Sequence, residues 1–297
     1  MNKIAQFWEN TAQTPLQIVD LPIFVEKDIK VYIKRDDMLH PWVSGNKWRK
    51  LKYNFIEAYQ QGYDTLLTFG GAYSNHVAAV AAAAQATGFE SIGIIRGDEL
   101  SPTSNPTLRF ATDCGMQLFF VSREDYRCKE VLAEKYGSNA YILPEGGTNS
   151  LAVKGVGEVV AEATSQLGYA PHYWCTPVGT GGTFAGLCSK AEASSKVLGF
   201  VVLKNGQYLL KTILPLVGTY QNYELFWESH FGGYGKTTTA LMEFIEYFEH
   251  TTGIAIEQVY TAKMLFQIDE LVRQGDYFKR GDTVVVIHTG GLQGKRK

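Results

Sequence analysis

Apolar and polar positions along the chain alternate between two periods, one helical and one extended. Between Lys47 and Gly62 the apolar residues Leu51, Phe55, Ile56 and Tyr59 recur at helical spacing, and Gly62 ends the helix. A β-branched and aromatic run at Thr65–Phe69 predicts a strand, and an Ala-rich helix follows from Asn75 to Thr87 with Gly88 as its stop. Another strand is expected at Ser91–Ile95, and Asn105-Pro106 supplies the N-cap and first position of the next helix. A strand at Gln117–Val121 leads into Ser122, read as the cap of a charged helix ending near Gly137, and a strand at Ala140–Leu143 completes the unit. The pattern restarts after Pro144-Glu145-Gly146-Gly147. It then predicts a helix over Asn149–Leu167, a strand at Tyr173–Thr176, a glycine-rich turn at Val178–Thr183 and a helix through Ala185 and Leu187. A strand at Lys196–Leu203, helices near Thr238–Thr251 and Thr261–Arg273, and a last strand at Thr283–Ile287 follow.

Strands alternating with helices are the signature of βαβ units on parallel sheets, so the expected fold class is α/β with parallel-rich sheets flanked by helices. At roughly 150 residues per domain, 297 residues suggest two domains. The restart near 150 divides them into a larger unit, 1–50 with 150–297, and a smaller inserted α/β unit, 51–149, with Lys47 at the seam.

Composition adds exclusions. Apolar residues at 45% and charged residues at 20% describe a globular chain, and a net charge of −2 gives no basic field for nucleic acid. Cys114, Cys128, Cys175 and Cys188 form no CxxC pair and have no His at zinc-ligand spacing, so packing thiols are expected rather than a metal site or nucleophile. The N-terminus lacks the apolar core of a signal peptide, and the run Val77–Ala84 is far shorter than the ~20 residues of a membrane helix. A soluble cytoplasmic protein is the expectation. Glycine is in excess, 30 of 297, and much of it falls in a few turns.

Four of those turns are candidates for chemistry. Gly179-Thr180-Gly181-Gly182-Thr183 follows a strand and opens a helix, a position where backbone N–H groups can hold a phosphate; a plain tight turn is the bland alternative. As a dinucleotide fingerprint it fails, because the third glycine position is Phe184 and the next strand leads to Lys204 rather than an acidic residue. Gly232-Gly233-Tyr234-Gly235-Lys236-Thr237 ends like a P-loop, but His230 stands where the first glycine is required, leaving Tyr234 as a lid or packing residue. In Ser44-Gly45-Asn46-Lys47-Trp48-Arg49-Lys50, three cations crowd the positive end of a helix. Either Arg49 and Lys50 point outward on a solvated face, or Lys47 is held uncomfortable so that its neutral, nucleophilic amine is favoured. Gly70-Gly71-Ala72-Tyr73-Ser74-Asn75-His76 places a hydroxyl, an amide and an imidazole at a helix N-terminus, where Ser74 could also be no more than a cap.

These turns, followed by Val259-Tyr260-Thr261-Ala262-Lys263 and His288-Thr289-Gly290-Gly291, occur in a fixed order. As a set they resemble the fold-type II, tryptophan synthase beta-like pyridoxal-phosphate enzymes, and among them the 1-aminocyclopropane-1-carboxylate deaminase/D-cysteine desulfhydrase family. The resemblance runs from Lys34-Arg35-Asp36-Asp37 to Gly291. It implies pyridoxal 5'-phosphate as cofactor, with Lys47 as the Schiff-base lysine and proton shuttle, and Gly179, Thr180, Gly181, Gly182 and Thr183 around the phosphate. Asn75 would bond the cofactor's phenolic oxygen and Thr289 its pyridine nitrogen. Ser74, Asn75 and His76 would form the substrate loop, with Ser74 and Tyr260 catalytic.

The family divides by substrate. β-Elimination of D-cysteine gives pyruvate, ammonia and sulfide, whereas cyclopropane ring opening enlists a second tyrosine, expected two residues before the histidine of H-x-G-G. Val286 occupies that position, which favours elimination. The resemblance also implies a small amino-acid substrate and a homodimer. A nicotinamide oxidoreductase using Gly179–Thr183 and a non-catalytic relative that binds the cofactor are the alternatives.

Overall fold

Ten strands, among the residues described in this computed structural model (3–9 and 13–295), form two sheets. They are β1 Leu16–Ile18, β2 Lys30–Lys34, β3 Thr65–Gly71, β4 Glu90–Arg96, β5 Gln117–Val121, β6 Tyr141–Leu143, β7 Tyr173–Val178, β8 Lys196–Val201, β9 Tyr223–Phe226 and β10 Thr283–Ile287. The smaller sheet has the order β5-β4-β3-β6 and is parallel throughout. The larger has the order β1-β2-β10-β7-β8-β9, parallel except for the β1–β2 pair at one edge. The fold is α/β, with helices covering both sheets. Residues 1, 2, 296 and 297, the outer ends of the larger unit drawn from the sequence, lie outside the described residues.

Local chemistry explains most elements. Asn105 caps helix Pro106–Asp113, its side chain accepting the Leu108 N–H at 3.0 Å, and Asn149 does the same for helix Ser150–Leu167 through Ala152 N–H at 2.9 Å. Ser122 behaves differently from expectation. It accepts the Asp125 N–H at 3.0 Å in the turn that leads into a short 3₁₀ segment, Asp125–Arg127; helix Lys129–Gly137 starts after it, with no side-chain cap. The sequence pattern also passed over β1, β2 and β9, which are too short or too irregularly flanked to show a period. Of the four thiols, Cys175 and Cys188 are buried packing residues and Cys114 is half-buried, but Cys128 is exposed.

The first fifty residues contribute to both halves. β1 and β2 belong to the larger sheet, while Ile4, Trp8, Val43 and Trp48 pack in the apolar cluster beside the smaller one. Helix Asn46–Gln60 lies across helix Ser150–Leu167 so closely that a Cβ on Gly155 would sit 2.0 Å from the Arg49 carbonyl oxygen. Only glycine permits that approach. The carboxyl ends of β3, β4, β7 and β8 face one cavity between the sheets, the usual place for a ligand in an open parallel sheet.

Candidate active site

The cavity measures about 910 Å³, and Lys47 reaches it from the first turn of helix Asn46–Gln60. Gly45 makes this placement possible: its φ is +62°, and a Cβ there would lie 2.0 Å from the carbonyl oxygen of Thr289. The Asn46 N–H donates to that same oxygen at 3.3 Å, so the Ser44–Lys47 turn is seated on the His288–Gly291 turn. Lys47 Nζ donates to Asn46 Oδ1 at 2.9 Å, and Asn46 Nδ2 donates to Thr183 Oγ1 at 2.8 Å, which links the amine to the glycine loop. Burial lowers the Lys47 pKa to about 8, against the opposing pull of Glu257.

The other two cations of that turn do not face solvent. Arg49 is buried, its Nε and Nη2 donating to Asp36 at 2.5 and 2.8 Å and its Nη1 and Nη2 to Glu162 at 2.9 and 2.7 Å. Lys34 joins this network, 3.3 Å from Glu162. Lys50, only 2% exposed, points at the glycine loop: its Nζ donates to Gly146 O at 3.0 Å, Thr148 Oγ1 at 3.2 Å and Thr180 Oγ1 at 3.4 Å. All three partners are neutral. Burial, with the Lys47 charge nearby, pushes the Lys50 pKa well below its ordinary value. The sequence reading left out Lys50 and Thr148, although Lys50 stands one helical turn from Lys47 and so shares its face.

Across the cavity, Ser74 caps helix Asn75–Thr87 by accepting the Val77 N–H at 3.2 Å. Asn75 Oδ1 accepts from Gln293 Nε2 at 3.0 Å beside Gly291. His76 is buried, with Nε2 bonded to Thr68 Oγ1 at 2.8 Å and Nδ1 without a hydrogen-bond partner; burial and the charges of Lys47 and Lys50 hold the ring neutral. Tyr260 and Tyr234 meet edge to face with ring centres 6.0 Å apart, and burial keeps the Tyr260 phenol protonated. The Thr289 and Thr261 hydroxyls are 3.4 Å apart on the adjoining wall.

Lys47, Ser74, Asn75, His76, Gly179, Thr180, Gly181, Thr183, Tyr234, Tyr260 and Thr289 all line this one cavity, while Gly182 lies behind it against Lys50 and Thr148. Val286 does not. It is fully buried in β10 within an apolar cluster. Glu257, also missed, anchors the segment that carries Tyr260. Its carboxylate accepts the N–H groups of Val259, Tyr260 and Thr261 at 2.6, 3.0 and 2.6 Å, and burial raises its pKa to about 7.

A family model described as pyridoxal-phosphate dependent enzyme matches residues 8–290. The chain belongs to that family. Among relatives of this pyridoxal-phosphate enzyme, a Thermotoga maritima protein named as a putative 1-aminocyclopropane-1-carboxylate deaminase is 32% identical over 286 residues, covering 89% of each chain. An Arabidopsis thaliana mitochondrial protein named bifunctional D-cysteine desulfhydrase/1-aminocyclopropane-1-carboxylate deaminase is 29% identical over 309 residues, covering 95% of this chain and 77% of the relative. A crystal structure described as a deaminase homologue of the same kind superposes with a TM-score of 0.81 at 28% identity, covering 99% of this chain and 96% of that one.

The residues present fit the cofactor. Lys50 is a buried amine with neutral partners only, beside two threonine hydroxyls and a glycine loop whose Gly181 has a φ of +85°. A phosphate there would supply the missing negative charge, and Lys47 with its lowered pKa would stand ready for an aldehyde.

Proposed function

We propose that the protein is a deaminating lyase of small β-substituted amino acids, with D-cysteine as the representative substrate. D-Cysteine and water would give pyruvate, ammonia and hydrogen sulfide. The observation that carries this reading is the desolvated Lys47 amine facing Ser74 and Tyr260 across a cavity that also presents a cationic, hydroxyl-lined phosphate cradle.

Bound pyridoxal phosphate supplies an electron sink for carbanion chemistry at the substrate's α-carbon. Lys50, Thr180 and Thr183 would hold its phosphate, Asn75 its ring oxygen and Thr289 its ring nitrogen. A hydroxyl at that nitrogen, in place of a carboxylate, suits elimination over transamination. The N-terminus of helix Asn75–Thr87 orients the substrate carboxylate through backbone N–H groups and Ser74. Lys47, once its amine is free, takes the α-proton. Tyr260, kept protonated by burial, donates a proton to the departing sulfur. Tyr234 covers the pair.

Ring opening of 1-aminocyclopropane-1-carboxylate is a second reading, favoured by Tyr234 beside Tyr260, which supplies two tyrosines at one site. The division into a larger and a smaller domain, a homodimeric state and a cytoplasmic location belong to the same proposal. The test is direct. Incubated with pyridoxal phosphate, the protein should turn yellow, lose the colour on Lys47→Ala, and convert D-cysteine to pyruvate and sulfide faster than it opens the cyclopropane ring. A colourless protein with no turnover of any D- or L-amino acid overturns the proposal.

A further inference from the structure

The cavity extends past the reactive lysine to a wall rich in charge. Arg96 and Arg123 bracket β5, Lys129 begins the helix beyond it, and Lys204 follows β8 on the opposite side. Two of these cations are already satisfied: Arg123 pairs with Glu99 at 2.8 Å and Lys129 with Glu145 at 3.2 Å. Arg96 and Lys204 are not. Both are exposed to the cavity, and among the described residues neither has a carboxylate within ion-pair distance.

Arg96 is the better placed of the two. As the last residue of β4 it pairs in register with Gly71, the residue that enters the Ala72–His76 loop, and a Cβ on Gly71 would lie 3.6 Å from its Nη2. Its guanidinium sits 5.7 Å from the ring centre of Tyr126, and the ammonium of Lys129 sits 4.7 Å from the same ring. A planar donor fork is thus steadied on an aromatic ring, beside the substrate loop and open to the cavity. Counting Glu145, the immediate Arg96–Lys129–Glu145 group keeps one net positive charge.

We infer that this wall is a subsite for an anion on the substrate's side chain, with Arg96 as its principal donor. Among small β-substituted amino acids, those whose β-substituent carries a carboxylate, sulfonate or phosphate are then bound in preference to neutral ones. An uncharged side chain leaves the fork hydrated, whereas an anionic one gains a charge-assisted, two-point contact. The inference rests on the amino-acid lyase reading above and names its substrate more closely.

Calorimetric binding of D- and L-cysteate, compared with D- and L-serine, tests it on protein with and without pyridoxal phosphate. For one enantiomer, cysteate should bind about tenfold tighter than serine, and Arg96→Gln should reduce that preference to about twofold or less. Arg96→Lys should restore part of it. Equal affinities, or a preference that survives Arg96→Gln, overturn the subsite. The visible spectrum separates this failure from that of the broader reading. A loaded protein whose colour responds to serine yet shows no cysteate preference overturns the subsite alone. A protein that binds no pyridoxal phosphate but keeps an Arg96-dependent preference for cysteate overturns the lyase reading and leaves the subsite standing.

Discussion

Lys263 Nζ donates to the carbonyl oxygen of Gly233 at 2.9 Å, and also to that of His230 at 2.8 Å, from a side chain with no solvent exposure. A buried ammonium therefore ties helix Thr261–Gln274 to the glycine-rich segment that carries Tyr234. Lys263 lies on the same short segment as Tyr260 and Glu257, so one stretch of chain positions both tyrosines of the pair.

Replacing Lys263 with Met should loosen that segment. Two charge-assisted hydrogen bonds are lost, each worth about 1.5–3 kcal/mol, and the two carbonyls keep only the backbone N–H groups of Gly233 and Lys236 as donors. We expect proteolysis within 228–237 to accelerate, KM to rise about tenfold, and the cofactor's visible band to persist, because Lys263 touches neither Lys47 nor the glycine loop. Unchanged proteolysis and KM, with only a lower Tm, would show that Lys263 serves general stability instead.

Lys50 has only neutral partners, so its contribution should appear as affinity for the phosphate end of the cofactor. Lys50→Met should weaken pyridoxal-phosphate binding by roughly tenfold to a hundredfold, and should affect unphosphorylated pyridoxal much less. Without cofactor the same variant should be at least as stable as the parent chain, because an amine buried without a counter-charge, beside the charge of Lys47, is removed. Equilibrium dialysis with both ligands and a thermal melt of the unloaded protein check the two halves. Equal losses for pyridoxal and its phosphate would contradict the assignment.

Much of this site was legible before the fold was known, because strand-to-helix turns are read locally. Gly179–Thr183, Ser74–His76 and the Lys47 turn each announce themselves within a few residues, and their shared order joins them. Arg49 and Lys50 were not legible in the same way. Whether a cation on a helix faces water or a buried partner depends on Asp36 and Glu162, or on Thr148 and Thr180, which are remote in sequence and close only in the fold. Glu257 was hidden for a related reason: a carboxylate that accepts backbone N–H groups leaves no spacing pattern. Val286 shows the converse. Its position relative to His288 suggested a place in the site, but β10 is a central strand buried on both faces, and the Val286 side chain packs in a core cluster.

Lys47 offers a titration. Burial brings its pKa from 10.5 to about 8, so its neutral amine dominates above about pH 8 and its ammonium below. The rate at which unloaded protein gains the visible band on mixing with pyridoxal phosphate should therefore rise close to tenfold per pH unit below that value and level off above it, rather than climbing toward 10.5. The same shift has a stability sign. Between pH 8 and 10.5 the unfolded chain holds a proton that the folded one lacks, so the stability of the unloaded protein gains from Lys47 as pH rises through that window. Lys263, also lowered to about 8 by burial, and Lys50, lowered by burial and by the Lys47 charge, contribute with the same sign, and Lys47→Met removes the Lys47 share together with its effect on Lys50. Denaturant melts of parent and variant across about pH 7–10 read that difference. A capture rate still rising steeply above pH 9, together with identical pH slopes for the two proteins, would place the Lys47 amine in water and remove the basis for its role.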